Sequence, residues 1–552
     1  MLPIAILTGI VLLVVLGIGG ILAAGSSSST PTPPGAIALA TTSPSTSASA
    51  VPAANGEDGS GSDTADEPSV ESAPPVEVAT TTSDVAIAPV VNFRSTRSSL
   101  TKADVANIAA GSSSLRKLVL VDADADAILD ALGFRRSDFG TRLVTKDDAD
   151  ALASYLAGHR STAGFLRADD VGPSVRALSW GSKSLFGVDR VARLSGWPLT
   201  ARLEVPEGSS PTYDPGTSWT LVAGGDILLD RGVALAIKGS PRGANFPFDG
   251  GTVEITGRCK DCSAFGWDLP YTRRTGNAGV VRSLISSADL AIANFENPAP
   301  KNYRFHSSGT VFSANPAFIK GVRNAGFDWV SLANNHIGDA GGKGILQTMK
   351  NLDKYGIAHS GAGADSGEAH KAALLRVGDV TVGILGYDTI AAYYTAGDST
   401  PGSARMTKKA LKRDIKAARK AGADVVIVFP HWGIEYRATP TAKQRSLGQA
   451  AINAGADLVI GNHPHWAEGM EVYKGKPIWY ALGNLVFDQT WSEPTMEGLT
   501  LELTFEGKEL VQIHMRSHLI LDRAQPNFMD PAGSGKVVMK QVWSASKGLL
   551  PW

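Results

Sequence analysis

One short pattern recurs through the second half of the chain and restricts its fold more than any other feature. An aspartate opens about four apolar residues, and residues able to bind metal close them: "ADLAIANFENP", "GFDWVSLANNH", "ADVVIVFPHWG" and "ADLVIGNHPH". Counted from Asp289, Asp328, Asp424 and Asp457, the polar residue falls six to eight positions on. It is Glu296, then Asn335 with His336, then His431, then His463 with His465. "SWTLVAGGD" does likewise, from Trp219 to Asp226. Near-continuous apolar runs read as strands buried on both faces. "ALKRDIKAARKAGAD" and "KQRSLGQAAINAGAD" show helical spacing and then an Ala-Gly stop before the next run. Helix alternating with strand predicts an α/β fold with a largely parallel core. Ligands in such folds gather beyond the carboxyl ends of the strands, so the five polar clusters are expected on one edge.

Those clusters hold two carboxylates, an amide oxygen and four imidazoles, too many for one closed structural zinc. They suit two divalent ions (Mn, Zn or Fe) sharing a bridging carboxylate, with His463 and His465 each serving a different ion. Such a pair polarises a phosphoryl or carbonyl oxygen and supports hydrolysis. The other six of the ten histidines, such as His159, His306 and His370, lack the pattern and are expected to be surface or incidental residues. Arg231, in the same turn as Asp226, is a candidate anion clamp because guanidinium grips phosphate or carboxylate bidentately. A surface ion pair is its alternative.

"GGDILLDRG", "NFENP", "SLANNHIGDAG", "FPHWGIEY", "GNHPHWAEGME" and "YALGNLVFDQ" resemble, in order, the motifs of the bacterial CapA family. That family is linked to poly-γ-glutamate and capsule synthesis and belongs to the calcineurin-like metallophosphatase superfamily. The resemblance covers roughly residues 219–520. It implies a four-layer α/β/β/α sandwich in which Asp226 and His465 bind a first metal and Glu296 bridges. Asn335, His431 and His463 would bind a second. His336 matches the superfamily's non-ligand histidine, which protonates the leaving group or steadies transition-state charge. Glu435 and Asn484 follow motif positions and are candidate substrate contacts. Two positions depart from the superfamily pattern. Leu228 stands where Asp-x-His would supply a ligand, and Glu296 replaces an aspartate and reaches one methylene further.

The rest of the chain frames that half. Ile4 to Ala23 carry no charge and reach the roughly 20 residues that a helix needs to cross a bilayer. The absence of a basic flank favours an uncleaved anchor over a signal peptide, so residues 1–24 are expected to span a membrane once. Residues 25–90, rich in Ser, Thr, Pro and Ala, are expected to be a disordered linker. Residues 91–215 read as a small α/β accessory domain and residues 216–552 as the metallophosphatase-like domain. Within the accessory region, "LRKLVLVDADADAILDALGF" reads as strand, turn and helix, and "TKDDADALASYLAG" as a capped helix. Near the end, "GLTLELTFEGKELVQIHM" reads as a hairpin and "GSGKVVMKQVWSASKG" as a closing helix.

Only two cysteines occur, Cys259 and Cys262. Alone they cannot build a four-ligand zinc site. They read as a small-loop disulfide, with a free or redox-active pair as the alternative. The formal net charge of −1 gives no strong field toward nucleic acid, and none is expected as a partner. The expected partners are a polyanionic envelope polymer or its precursor and a membrane synthase complex, with the globular part extracytoplasmic. Two roles compete: a metal-dependent hydrolase on that polymer, and a non-catalytic assembly or export factor built on the same frame.

Overall fold

Every residue of the strand Ser218–Ile227 is buried, as a strand covered on both faces requires. In the computed structural model, which describes residues 79–208 and 213–551, this strand lies at the centre of a ten-stranded mixed sheet. It pairs parallel with Leu290–Phe295, which leads through Trp329–Ser331 to Ala358–Ser360. On its other side it pairs antiparallel with Glu497–Glu506, followed by Glu509–Leu521 and Gln525–Met529. The hairpin Thr252–Cys259 with Leu269–Gly276 closes that edge. A second, six-stranded sheet has a parallel centre of Val380–Asp388, Val425–His431, Leu458–Ile460 and Lys476–Trp479.

Side-chain alternation along these strands fixes the layers. Leu221, Ile292 and Trp329 point inward and meet Ile384, Ile427, Phe429 and Ile460 of the second sheet. Trp329 and Phe429 touch edge to face at 5.2 Å between ring centroids. Truncating such a ring to alanine costs about 3–5 kcal/mol. Val222, Ala291 and Val330 point outward, onto the helices Arg231–Gly239, Val280–Ser287, Ile319–Ala325 and Gly341–Lys354. Val426, Val428 and Val459 pack beneath Lys408–Lys420 and Ala442–Asn453. Helices, sheet, sheet and helices therefore follow in four layers.

The two helices on the second sheet begin where the sequence supplies a cap. Thr407 accepts from Ala410 N, and Thr441 forms a reciprocal capping box with Gln444. Leu411, Ile415 and Ala418 fall three or four apart and bury one face of the first.

Residues 80–206 build a separate six-stranded sheet. Here the structure corrects the linker boundary. Composition placed residues through 90 in the linker, yet Thr80–Asn92 is a strand and is wholly buried from Val85 onward. It pairs with Thr162–Arg167, Val175–Ala177 and Thr200–Pro206. Its β-branched and small residues gain their apolar partners from distant strands, which composition does not register. The expected turn after Lys117–Val121 is also absent, since the helix Asp122–Leu132 follows directly. This sheet meets the sandwich at Glu509–Leu521, where Gln512 Oε1 accepts from Ala177 N at 2.8 Å and Nε2 donates to Val175 O at 3.1 Å. The expected anchor, and the linker up to residue 78, lie outside the described residues. Among the described residues no helix is long and apolar enough to cross a membrane.

Candidate metal centre

All the strand-end residues singled out in the sequence come from the carboxyl ends of parallel strands in the two sheets. Asp226 is the penultimate residue of Ser218–Ile227, Glu296 follows Leu290–Phe295, and His431 ends Val425–His431. Asn335 and His336 lie just beyond Trp329–Ser331, and His463 and His465 just beyond Leu458–Ile460. Two sheets packed face to face bring these ends together.

Two groups of ligand atoms form there: Glu296, His431 and His463, and Asp226, Glu296 and His465. Within each group the atoms lie within 4.8 Å of one another, and every residue is buried. Glu296 belongs to both. Its Oε1 is 3.7 Å from His431 Nε2 and 3.8 Å from His465 Nε2. His431 Nε2 lies 3.1 Å from His463 Nδ1 and 2.7 Å from Asn335 Oδ1. His465 Nδ1 lies 3.5 Å from Asp226 Oδ2.

The fit to a cation rests on Glu296. It has no exposed surface, and neither carboxylate oxygen has a hydrogen-bond partner. Burial, followed by the Asp226 charge, holds its pKa well above the ordinary carboxylate range. Burial, followed by repulsion from neighbouring histidines, holds His431 and His463 well below 6.5, as neutral imidazoles. Neutral imidazoles around an unpartnered buried carboxylate leave an unmet demand for positive charge. A divalent ion supplies it, so these residues fit one.

The doubled histidine of "NHPH" is a geometric device. His463 has φ +99° and His465 φ +58°, on either side of Pro464. Backbone in this region costs a residue other than glycine about 1–3 kcal/mol. The strain turns the two rings apart, with centroids 6.1 Å from each other, so that one reaches His431 and the other Glu296.

Supporting residues fix the ligands. Asn484 Oδ1 lies 2.8 Å from His465 Nδ1, and its amide donates to Gln489 Oε1 at 3.1 Å and Thr495 O at 2.9 Å. Asn484 is fully buried. It holds the His465 proton on Nδ1 and leaves the Nε2 lone pair for the centre. Asn294 donates to Asp226 Oδ1 at 2.7 Å, and Asn334 donates to Asn294 Oδ1 at 3.2 Å. Neither was singled out. The only sequence signal was an asparagine within two residues of each ligand, in "ANFENP" and "LANNH".

His336 stands beside the ligands. Its Nε2 is 4.0 Å from Glu296 Oε1, its Nδ1 is 2.9 Å from Asp339 Oδ2, and the Phe312 ring lies against it at 4.0 Å. Asp339 was also missed, three residues after the motif histidine.

Arg231 forms an ion pair with Asp488 and donates to Gly309 O at 2.7 Å, over the rings of Phe312 and Phe487. The pair is internal, with 14% of the arginine side chain exposed, so the surface alternative does not describe it. Its charge still favours ionised Glu296. Glu435 is exposed, and its charge opposes that effect. Beside it, Tyr436 stacks over His465 at 6.0 Å. Leu228, in the place of the missing ligand, is buried against Phe312, Phe487 and Ile520.

Of the remaining histidines His159 is exposed, as expected, while others depart from the surface reading. His306 pairs with Asp230 at 2.7 Å, His370 pairs with Asp414 at 2.8 Å, and His518 has no exposed surface. Cys259 and Cys262 form a disulfide at the end of the strand Thr252–Cys259.

Fold and site together define an α/β protein with a buried, strand-end centre for divalent metal. Residues 220–489 match the family model of the bacterial capsule synthesis protein PGA_cap, and this part of the chain is similar to the CapA proteins. The capsule biosynthesis protein CapA of Bacillus anthracis is 35% identical over 268 residues, 47% of this chain and 62% of that protein. The PGA biosynthesis protein CapA of Bacillus subtilis (strain 168) is 35% identical over 242 residues, 43% of this chain and 60% of that protein. The chain thus spans about three fifths of the length of these curated relatives. A solved calcineurin-like phosphoesterase, YfkN from Bacillus subtilis, superposes with a TM-score of 0.30 at 14% identity, over 60% of this chain and 98% of that one.

Proposed function

We propose that this chain is a metal-dependent hydrolase of phosphoester type that acts in the synthesis of a capsule or poly-γ-glutamate-like envelope polymer. The observation that carries the proposal is Glu296, buried with both oxygens unpartnered between two overlapping ligand groups. Asp226, Glu296 and His465 would hold one ion, and Glu296, His431, His463 and Asn335 a second. Bound there, the ions would polarise an ester oxygen as Lewis acids. The residues of the chain do the rest. His336 donates Nδ1–H to Asp339 and presents its Nε2 lone pair at the edge of the ligand cluster, where it would take up a proton and pass it to the leaving group. The Arg231 guanidinium, anchored on Asp488, contributes fixed positive charge where a polyanionic substrate would approach.

In this proposal the polymer or its precursor is the substrate and a membrane synthase complex is the partner. Residues 1–24 would anchor the chain, with its globular part outside the cytoplasm. Metal analysis of the purified full-length protein, with hydrolysis of aryl phosphomonoesters and diesters under added manganese or zinc, tests the reading. Metal content with turnover that disappears in His463→Ala supports it. Leu228 favours a second reading, since it leaves the Asp226 group with three donors and an apolar wall. Bound metal, inert esters and a capsule defect on deletion would point to an assembly factor instead.

A further inference from the structure

Where the N-terminal sheet meets the sandwich, a cavity of about 210 Å3 is lined by none of the residues of the metal centre. At ~30 Å3 per water it has room for about seven waters, the size of a small metabolite. Arg176, from Val175–Ala177, is on its wall. Its guanidinium donates to Ser95 O at 3.1 Å and to His514 Nε2 at 3.0 Å. Arginine can only donate, so His514 Nε2 is the acceptor and the imidazole is neutral. Its Nδ1 then carries the proton and faces Glu502 Oε2 at 3.3 Å.

The other charges on the wall are committed or screened. Arg516 spends Nε and Nη2 on Glu502 Oε2, at 2.8 and 2.6 Å, and Glu502 Oε1 accepts from Val188 N at 2.9 Å. Asp189 is exposed to solvent. Among the described residues Arg176 therefore has no carboxylate in ion-pair contact. A second guanidinium shares its cavity, and two arginines against one buried carboxylate leave positive charge to be met. The hydroxyls of Ser179 and Ser184, 2.9 Å apart, also line the space, and only one of their two protons is used between them.

We propose that this cavity binds a small oxyanion, a carboxylate or phosphate group on a metabolite-sized molecule, with the Arg176 guanidinium as its fork. The planar donor pair of arginine matches either group, and the serine hydroxyls add neutral donors. Bound there, the ligand lies between Arg176 of the N-terminal sheet and Arg516 of the sandwich.

Calorimetric titration of the full-length protein with inorganic phosphate, and separately with succinate, tests this. Carrying His463→Ala and His465→Ala with chelator present keeps the metal centre out of the readout. At least one probe is expected to bind saturably with a Kd at or below ~1 mM, weakened at least tenfold by Arg176→Met. Binding of phosphate alone or succinate alone identifies the natural group. No saturable binding by either probe, or unchanged binding by Arg176→Met, overturns the proposal. If that variant does not fold, Ser184→Ala decides: weakened binding supports the site, and unchanged binding overturns it.

Discussion

His336 Nδ1 lies 2.9 Å from Asp339 Oδ2, while Nε2 of the same ring faces Glu296 Oε1 at 4.0 Å. Asp339 also accepts from Phe312 N at 2.8 Å, so the carboxylate is fixed before it fixes the histidine. The pairing puts the ring proton on Nδ1 and leaves the Nε2 lone pair facing the centre.

Asp339→Asn should therefore separate catalysis from structure. The amide keeps the size of the side chain but can present N–H where the ring needs an acceptor. General acid–base catalysis contributes about 10²–10⁴-fold, so kcat on an aryl phosphodiester should fall by about 10²-fold or more. Metal content should not change. Full activity in this variant would reduce the pair to a packing contact.

Glu296→Gln should change stability in opposite directions with and without metal. Without metal, the buried carboxyl has unpartnered oxygens and a neighbouring Asp226 charge, and the amide removes part of that penalty. Chelated protein carrying the change should melt no lower than the parent, and about 1 kcal/mol of relief would raise Tm by about one degree. With manganese or zinc the order should reverse, because an amide is a poor ligand and binding stabilises only the native state. Thermal melts with and without chelator read this directly. A loss of stability under both conditions would mean that Glu296 is needed for packing alone.

Asn484→Leu tests positioning rather than ligation. The side chain bonds His465, Gln489 and Thr495 rather than His431 or His463, and it is fully buried. Losing such a partner costs about 10–100-fold in metal affinity. Competition against a calibrated chelator should show that loss, with metal still bound at saturation. An unchanged affinity would mean that strain at His465 alone orients the ring.

The sequence exposed the ligands more readily than their supports, for a physical reason. Asp226, Glu296, His431, His463 and His465 each end an apolar run, and such runs are legible one strand at a time. Asn294 and Asn484 act through contacts that exist only after distant strands come together, whereas Asp339 lies three residues from His336 but ends no apolar run. Asn484, for example, lies 19 positions from its histidine. The helices Lys408–Lys420 and Ala442–Asn453 were legible from caps and spacing, which are local. Thr80–Asn92 was not, because its partners lie about 70 to 125 residues away. His306 and His370 looked incidental because their carboxylates, Asp230 and Asp414, lie 76 and 44 residues away.

His518 should make the fold sensitive to acid. Its Nε2 donates to Asn484 O at 2.8 Å and its Nδ1 accepts from Thr500 Oγ1 at 3.1 Å, so the neutral ring is satisfied and the charged ring is not. Burial lowers its pKa from 6.5 to about 4. Between those values the unfolded chain holds a proton that the folded chain refuses, so stability rises with pH across this window. The contribution is complete above about 6.5 and is lost as pH falls toward 4. At 1.36 kcal/mol per pKa unit it amounts to about 3 kcal/mol. Urea unfolding at pH 7 and pH 4.5, with metal chelated, should show the fall. His518→Gln, which can still donate to Asn484 O and accept from Thr500, should flatten it by about that amount. The same residue joins the acid response to the centre, because the backbone it holds carries the side chain that orients His465. Metal affinity in the parent should then weaken more steeply below pH 6 than in His518→Gln. An identical pH slope in both proteins would remove His518 from the acid response.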